Sequence, residues 1–171
     1  MIIFIRGKAA TGKTFLANEI NLKFNMATTS KDRYFDELLL EGMAWPDANE
    51  VAYNRLVDEI HQHIKSEEDL LVDIGLAHTP YYLQFISKLK YDASQVKSFL
   101  CICSDQEEWE SRINKRIQNP ENPNQLFKSI EEATDHYEKY EISLIEGETL
   151  LDSCDIKEEL IEIISKKCHL V

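Results

Sequence analysis

The sequence predicts a three-layer α/β domain built around a parallel β-sheet, and three observations support this prediction. Short apolar runs alternate along the chain with amphipathic segments, as in strands joined by helical crossovers. A glycine-rich turn follows the first apolar run directly. The length of 171 residues and the 43% share of hydrophobic residues suit one domain with a sizeable core.

The glycine-rich turn spells GKAATGKT over residues 7–14 and fits the P-loop pattern G-x-x-x-x-G-K-[ST] at every position. Gly7 and Gly12 allow backbone conformations that a Cβ atom hinders, so successive N–H groups can point at phosphate oxygens. The N-terminus of the following helix adds further donors. Lys13 can reach the terminal phosphates of a nucleotide, and the Thr14 hydroxyl can bind Mg²⁺.

The first part of the chain predicts two strands and two helices. Residues 1–5 form an unbroken apolar run that leads into Arg6, which predicts a buried parallel strand before the P-loop. The helix after the P-loop is expected to pack through an apolar stripe of Phe15, Leu16, Ile20 and Phe24. A second, less apolar strand is predicted over residues 24–29 and ends at residues 30–33. A helix from Tyr34 to Met43 should follow, stopped by Trp45 and Pro46.

The middle of the chain predicts a long helix, a strand and another helix. Asp47 with Glu50 three residues later is a capping signal for a helix whose apolar residues are Val51, Leu56, Ile60 and Ile64. The third strand is predicted at residues 70–73 and ends in Ile74 and Gly75. Thr79 before Pro80 predicts an N-cap, and the buried face of that helix is expected to contain Tyr82, Leu83, Ile86 and Leu89.

The last third predicts two strands and three helices. The fourth strand is expected at residues 99–103, and Asp105 with Glu108 should cap the next helix. The apolar stripe of that helix is Trp109, Ile113 and Ile117. Residues 119–124 are rich in proline and asparagine and predict a loop. A helix over 129–145, a short strand over 149–151 and a closing helix over 155–167 complete the pattern.

Charge and cysteine content narrow the classes of function. The net charge of −12 argues against a general nucleic-acid or anionic-membrane surface. Residues 1–33 contain six cations and two anions, a balance of +4, which leaves −16 for the rest and predicts positive charge around a bound polyphosphate. The six cations are Arg6, Lys8, Lys13, Lys23, Lys31 and Arg33.

The remaining sequence features predict a cytoplasmic location. No apolar run is long enough to span a membrane, and the first strand begins at the first residue, which leaves no room for a removable presequence. The four cysteines form no C-x-x-C pair. Cys101 and Cys103 alternate in an apolar run and are expected to be buried thiols in a reducing compartment.

A P-loop is compatible with a switch GTPase, an ATPase motor or a small kinase. A switch GTPase needs an N-K-x-D motif after a strand, whereas residues 114–117 read NKRI and lie in a predicted helix. The chain is also too short for the extra elements of most motor ATPases.

The chain resembles the small-molecule kinases of the P-loop superfamily, namely the shikimate, gluconate and adenylate kinase-like group, and especially its chloramphenicol phosphotransferase and zeta-toxin-like branch. Beyond the P-loop, the resemblance rests on Asp32 and Arg33 after strand two, on Asp73 ending strand three, and on an R-x-x-x-R helix with Arg112 and Arg116. It implies a five-stranded sheet in the order 2-3-1-4-5. It also implies one kinase-like domain over residues 1–171, with a short lid at about 116–128.

The resemblance also implies a role for each of these residues. Asp32 would orient or deprotonate the acceptor hydroxyl, although an aspartate there could equally be a helix N-cap. Asp73 would bind Mg²⁺ through water or contact the substrate, or else cap a turn. Arg112 and Arg116 would close over the phosphates, unless Arg112 merely pairs with Glu108 on a wet helix face.

The predicted site residues fall into four groups. The catalytic group is Lys13, Asp32, Arg112 and Arg116. The nucleotide-binding group is Gly7, Ala9, Ala10, Thr11, Gly12, Lys13, Thr14, Phe15 and Arg112. The substrate-binding group is Asp32, Arg33, Asp73 and Gly75. The Mg²⁺-binding group is Thr14 and Asp73.

Together these features predict a kinase that moves the γ-phosphate of ATP·Mg to a hydroxyl of a small molecule. The expected partners are ATP and that acceptor, without nucleic acid or membrane, in a monomer or homodimer. One alternative is a nucleotide-binding regulatory protein or slow NTPase without an acceptor. Another is a toxin-like kinase acting on a nucleotide sugar. The identity of the acceptor and the choice between ATP and GTP stay open.

Overall fold

A computed structural model describes residues 1–120 and 127–170 and contains one parallel five-stranded sheet in the order β2-β3-β1-β4-β5. The strands are β1 (Ile2–Arg6), β2 (Ala27–Ser30), β3 (Leu70–Ile74), β4 (Val96–Ile102) and β5 (Thr149–Asp152). Both the predicted fold class and the predicted strand order are confirmed.

Helices cover both faces of the sheet. They are α1 (Lys13–Phe24), α2 (Lys31–Leu40), α3 (Trp45–Ser66), α4 (Thr79–Ile86), α5 (Gln106–Gln118), α6 (Ile130–Glu138) and α7 (Lys157–Cys168). Within the described ranges, none of these helices has the length and apolar character needed to cross a membrane. The predicted lid lies between α5 and α6, and its residues 121–126 fall outside the described part of the chain.

The central strand β1 is buried on both faces, and its side chains alternate between two cores. Ile3 and Ile5 pack with residues of α1 and α7, whereas Ile2 and Phe4 pack with residues of α3 and α4. The two cores hold β1 in the middle of the sheet. The P-loop begins at the carboxyl end of β1, at the edge where the other parallel strands also end.

The structure corrects the predicted starts of α2 and α3. Ser30 caps α2 by accepting a hydrogen bond from the Arg33 amide at 3.1 Å, so this helix begins at Lys31 rather than Tyr34 and Asp32 is not its N-cap. Pro46 lies in the first turn of α3 instead of ending the preceding helix. Proline is tolerated there because the first-turn N–H groups have no partner within the helix.

Other predictions about helices also need correction. His78, not Thr79, occupies the N-cap position of α4, without a capping hydrogen bond from its side chain. Leu83 is 45% exposed, and Phe85 takes the buried position on that helix. On α1, Phe15 is 53% exposed and therefore does not belong to the apolar stripe. The helix predicted over 129–145 ends at Glu138, and the chain up to β5 is not helical.

A buried ion pair holds the segment before β5 against the sheet. Arg6 and Glu148 both have fully buried side chains and are joined by two hydrogen bonds, of 2.8 Å from Nε and 2.7 Å from Nη2. The same guanidinium donates to the carbonyl oxygens of Ala77 at 2.8 Å and Ser143 at 2.6 Å. These four bonds engage all three nitrogens of the guanidinium. Arg6 therefore fixes the non-helical segment before β5 to β1.

Candidate functional site

The P-loop connects β1 to α1 and requires glycine at two positions. A Cβ atom at Gly7, where φ is 153°, would lie 2.1 Å from the Cys101 carbonyl oxygen, so only glycine permits the close approach to β4. Gly12 has a φ of 89° and occupies the N-cap position of α1. The N-terminus of α1, with its unpaired N–H groups, therefore faces the loop.

Lys13 and Thr14 begin α1 and extend in different directions. Lys13 is only 8% exposed, and its ammonium group donates to the Lys8 carbonyl oxygen at 2.7 Å, inside the loop. The Thr11 hydroxyl donates to the same oxygen at 2.9 Å. The Thr14 hydroxyl donates to Oδ2 of Asp73 at 2.5 Å and so joins the P-loop to the end of β3.

Asp73 reaches this position because β3 lies beside β1, with Asp73 in register with Ile5. Burial raises the pKa of the Asp73 carboxyl, although the Lys13 charge and the hydrogen bond from Thr14 act in the opposite direction. A carboxylate and a hydroxyl on adjoining elements are oxygen donors of the kind that Mg²⁺ binds together with phosphates. The donor set of Thr14 and Asp73 therefore fits a magnesium ion bound to a nucleotide.

Asp32 lies beside Asp73 at the same edge of the sheet. Ser30 is in register with Asp73, so Asp32 follows that pairing by two residues. Its side chain is 58% exposed and pairs with the Lys31 ammonium at 3.1 Å. Its charge contributes to raising the pKa of Asp73, which places the two carboxylates within electrostatic range of each other.

The other two predicted substrate-binding residues differ in their surroundings. Arg33 pairs with Glu59 at 3.3 Å and lies over the Tyr34 ring at 4.5 Å. Glu59 also accepts hydrogen bonds from the hydroxyls of Thr29 and Tyr34, so Arg33 belongs to a separate polar cluster. Gly75 follows β3, and no atom would lie within 4 Å of a Cβ atom placed there.

A cavity of about 400 Å³ adjoins the P-loop on the side of α5 and α7. Its lining residues are Ala10, Gly12, Phe15, Leu16, Arg112, Lys115, Arg116, Ser153, Asp155, Lys157 and Leu160. This volume lies in the range of small-ligand sites. The exposed Phe15 ring thus lines the cavity instead of packing in the core.

The two arginines of α5 both line this cavity but have different partners. Arg112 donates to Glu108 at 2.8 Å, the helix-face pair considered as the alternative, and also to the Ser153 hydroxyl at 2.8 Å. Arg116 is exposed, and its charge acts on both Asp73 and Tyr137. The charge of Arg116 therefore reaches the Asp73 carboxylate, whereas Arg112 bonds to Ser153 in the β5–α7 loop.

Two aromatic residues next to the P-loop were missed by the sequence analysis. The Ala9 N–H group donates to the Tyr137 hydroxyl oxygen at 2.7 Å, and the Trp109 indole N–H donates to the Ala9 carbonyl at 2.9 Å. The Lys8 ammonium lies 5.2 Å from the Trp109 ring centre and 5.5 Å from that of Tyr137. Local sequence carries no signal for such contacts, since Tyr137 is 128 residues from Ala9.

The predicted concentration of N-terminal cations around the phosphates is wrong in part. Arg6 pairs with the buried Glu148, Arg33 pairs with Glu59, and Lys23 lies in the last turn of α1, far from the P-loop. Cations from α5 and from the start of α7 line the cavity instead. The charge count predicted positive charge near the phosphates, but it could not predict which cations lie there.

The expectation of buried thiols holds for Cys101 but not fully for Cys103. Cys101 is buried and donates to the Thr11 carbonyl oxygen at 2.9 Å, and burial raises the pKa of its thiol to about 11. Cys103 is half-buried, and its sulfur lies 3.5 Å from that of the exposed Cys154.

Asp73→Asn is expected to raise the melting temperature at pH 7 in the absence of metal by a few degrees. The raised pKa means that the folded state binds this proton more tightly than the unfolded chain, so stability is lost as pH rises from the usual aspartate pKa through the raised value. Asparagine still accepts the hydrogen bond from Thr14 without a buried charge. Thermal unfolding from pH 4 to 8 should show a difference that shrinks toward acid; a lower melting temperature at pH 7 would contradict it.

No family model matches the sequence, and no curated protein matches it significantly. Several solved structures do match. A sugar kinase from Janibacter sp. HTCC2649 has a TM-score of 0.68 at 13% identity, covering 99% of this chain and 95% of that one. A gluconokinase from Sinorhizobium meliloti 1021 has a TM-score of 0.65 at 12% identity, covering 98% and 90%.

A third similar structure, a deoxyadenosine kinase from M. mycoides with bound dATP, has a TM-score of 0.56 at 15% identity, covering 99% of this chain and 100% of that one. At such low identity, these matches show that the chain shares the fold of P-loop kinases. Its own substrates have to be argued from its site.

Proposed function

We propose that the protein is a phosphotransferase that moves the γ-phosphate of ATP·Mg to a hydroxyl of a small molecule. The observation that carries this proposal is the Thr14–Asp73 hydrogen bond at the mouth of the P-loop, with Asp32 beside it. This arrangement sets a site for Mg²⁺ and phosphate near the exposed carboxylate of Asp32, which pairs with Lys31. A hydroxyl group between Asp32 and the γ-phosphate would be placed for attack.

The nucleotide would bind across the P-loop, with its phosphates on the N–H groups of residues 10–14 and its nucleoside in the 400 Å³ cavity, while the Ala9 N–H is bonded to Tyr137. Lys13 would exchange its bond to the Lys8 carbonyl for phosphate oxygens. Thr14 and Asp73 would hold Mg²⁺, which offsets the phosphate charge when bound. Phe15 and Arg112 would contact the nucleoside, since both line the cavity.

The acceptor would bind on the other side of the phosphates, near Asp32, Asp73 and Gly75. Asp32 would accept the proton of the attacking hydroxyl or hold that hydroxyl in line. Lys31 keeps the Asp32 carboxylate in place through its 3.1 Å contact. Arg33 would reach an anionic group of the acceptor only by leaving Glu59.

Arg116 would stabilise charge on the transferring phosphoryl group, since it lines the cavity beside the P-loop and its charge acts on the Asp73 carboxyl. We assign residues 1–171 to one kinase-like domain with a lid at about 116–128, which would begin at Arg116 in the last turn of α5. The structural similarity to a sugar kinase and a gluconokinase supports a hydroxyl acceptor. The net charge of −12 supports a small-molecule acceptor over nucleic acid, and a cytoplasmic location remains our expectation.

The experiment that tests this proposal combines a binding and a turnover measurement. ATP·Mg titrated into the protein should give saturable heat, and ATP consumption should rise with one class of acceptor. The acceptor panel would contain sugars, shikimate-like acids, nucleotides, and aminoglycoside and phenicol antibiotics. An absence of saturable heat with both ATP·Mg and GTP·Mg would reject the proposal.

Lys13→Met should raise the Kd for ATP·Mg about 10- to 100-fold, because hydrogen bonds between charged groups are lost. Lys23→Met is the matched control, since Lys23 lies on the same helix but in its last turn. Calorimetry should give the control variant the affinity of the wild type. Equal losses in both variants would indicate a general charge effect and contradict the role of Lys13.

A further inference from the structure

The Tyr137 side chain lies next to the P-loop, and its hydroxyl group accepts one hydrogen bond from it. Its oxygen accepts the Ala9 N–H at 2.7 Å, and the side chain is 8% exposed. A phenol can also donate its own hydrogen. Within residues 1–120 and 127–170, no acceptor for that hydrogen is present in the structure.

The hydroxyl keeps its hydrogen at any physiological pH. Burial raises the pKa of Tyr137 to about 12. The charges of Arg116 and Asp32 both act on this group, which places it beside the residues proposed for phosphoryl transfer. The open donor is therefore a neutral one, next to the P-loop amide of Ala9.

The ring is fixed on several sides, so the direction of the hydroxyl is set. Its centre lies 4.9 Å from that of His136, 5.6 Å from that of Phe127 and 6.1 Å from that of Trp109. Trp109 also holds the Ala9 carbonyl at 2.9 Å. The peptide groups on both sides of Ala9 are thus restrained, and the Ala9 amide keeps its bond to Tyr137.

We propose that the Tyr137 hydroxyl binds the terminal phosphoryl group of the nucleotide, accepting from the Ala9 amide and donating to a phosphate oxygen. The inference rests on the proposed function. A group 2.7 Å from a P-loop amide stands at the edge of the ring of donors that would surround the phosphates. Tyr137 extends that ring by one donor from a residue far away in the sequence. The charges of Arg116 and Asp32, the residues proposed for phosphoryl transfer, act on the same hydroxyl, and we therefore assign its contact to the γ-phosphate.

Tyr137→Phe tests the inference, because it removes the hydroxyl and keeps the ring contacts. Calorimetry would measure the Kd for ADP·Mg and for the non-hydrolysable ATP analogue AMP-PNP·Mg. The expected result is an unchanged Kd for ADP, within about twofold, and a Kd for AMP-PNP raised about 10-fold or more, as for a lost hydrogen bond to a charged group. The melting temperature of the variant checks that it is folded.

Tyr82→Phe is the matched control, since Tyr82 is also buried and its hydroxyl bonds to Ser98 at 2.8 Å, on β4 away from the P-loop. It should bind both nucleotides as the wild type does. Parallel weakening of ADP and AMP-PNP in Tyr137→Phe would mean that Tyr137 only supports the loop, and would overturn the inference.

Tighter binding of AMP-PNP by Tyr137→Phe would also overturn the inference, because the hydroxyl would then block the phosphate. An unchanged Kd for AMP-PNP would overturn it as well. If the wild type bound neither nucleotide, the proposed function itself would fail, and this inference would fail with it.

Discussion

Asp32→Asn is expected to reduce phosphoryl transfer about 10²- to 10⁴-fold while leaving the Kd for ATP·Mg within about twofold of the wild type. The asparagine amide cannot accept the proton of the acceptor hydroxyl, although it has almost the same shape. ATP affinity should persist because Asp32 is not among the residues that line the nucleotide cavity. A coupled ADP-release assay with the acceptor from the panel would measure the rate, and calorimetry the affinity.

Asp47→Asn is the matched control for this substitution. Asp47 is an exposed first-turn carboxylate of α3, as Asp32 is of α2, so the effect on the helix dipole is similar. The control should turn over at the rate of the wild type. An unchanged rate in Asp32→Asn would reject its assignment and favour the alternative, a nucleotide-binding regulatory protein or slow NTPase.

Glu148→Ala should lower the free energy of unfolding by about 3–5 kcal/mol, because it leaves the Arg6 guanidinium buried without a counter-charge. The substitution also removes the acceptor for Ser98 at 2.7 Å and for the Ile145 amide at 3.1 Å. Urea unfolding at neutral pH would measure the change. Since Glu148 lies in the core and not at the P-loop, the folded fraction should keep its affinity for ATP·Mg.

Two further variants test whether the loss of stability comes from breaking the Arg6–Glu148 pair or from the change in net charge. Glu162→Gln breaks the exposed pair with Lys166 and should leave the urea midpoint nearly unchanged. The double variant Arg6→Met/Glu148→Leu should recover much of the stability lost in Glu148→Ala, as apolar residues can replace a buried ion pair. A Glu148→Ala variant as stable as the wild type would contradict this prediction, because Arg6 would then have another partner for its charge.

Local sequence predicted the P-loop and the cap of α5 correctly, whereas it did not predict the starts of α2 and α3 or the end of α6. The P-loop pattern places Lys13 and Thr14 at the start of α1, and the Asp105 cap of α5 accepts from the Glu108 amide at 3.0 Å as expected. The position of Asp73 beside the P-loop follows from the strand order, which the resemblance supplied. The P-loop pattern, the capping signal and the strand order were sufficient to predict the positions of these residues.

What the sequence did not predict depends on contacts between distant residues. Ser153 approaches Gly12, and Tyr137 bonds to Ala9, across more than 100 positions of chain. Pro46 shows a second limit, since the same residue can end one helix or begin the next and only tertiary packing decides between them. Arg6 shows a third, because a cation next to a phosphate-binding motif can pair with a buried carboxylate instead.

The central position of β1 has a consequence for the order of folding. This first strand pairs with β3 at residues 70–74 and β4 at residues 96–102, and its Arg6 pairs with a residue 142 positions later. During synthesis β1 therefore emerges long before any of its neighbours exists. The sheet and the Arg6–Glu148 pair can therefore form only after β3, β4 and Glu148 have been synthesised, and the cost of closing these long loops should slow folding.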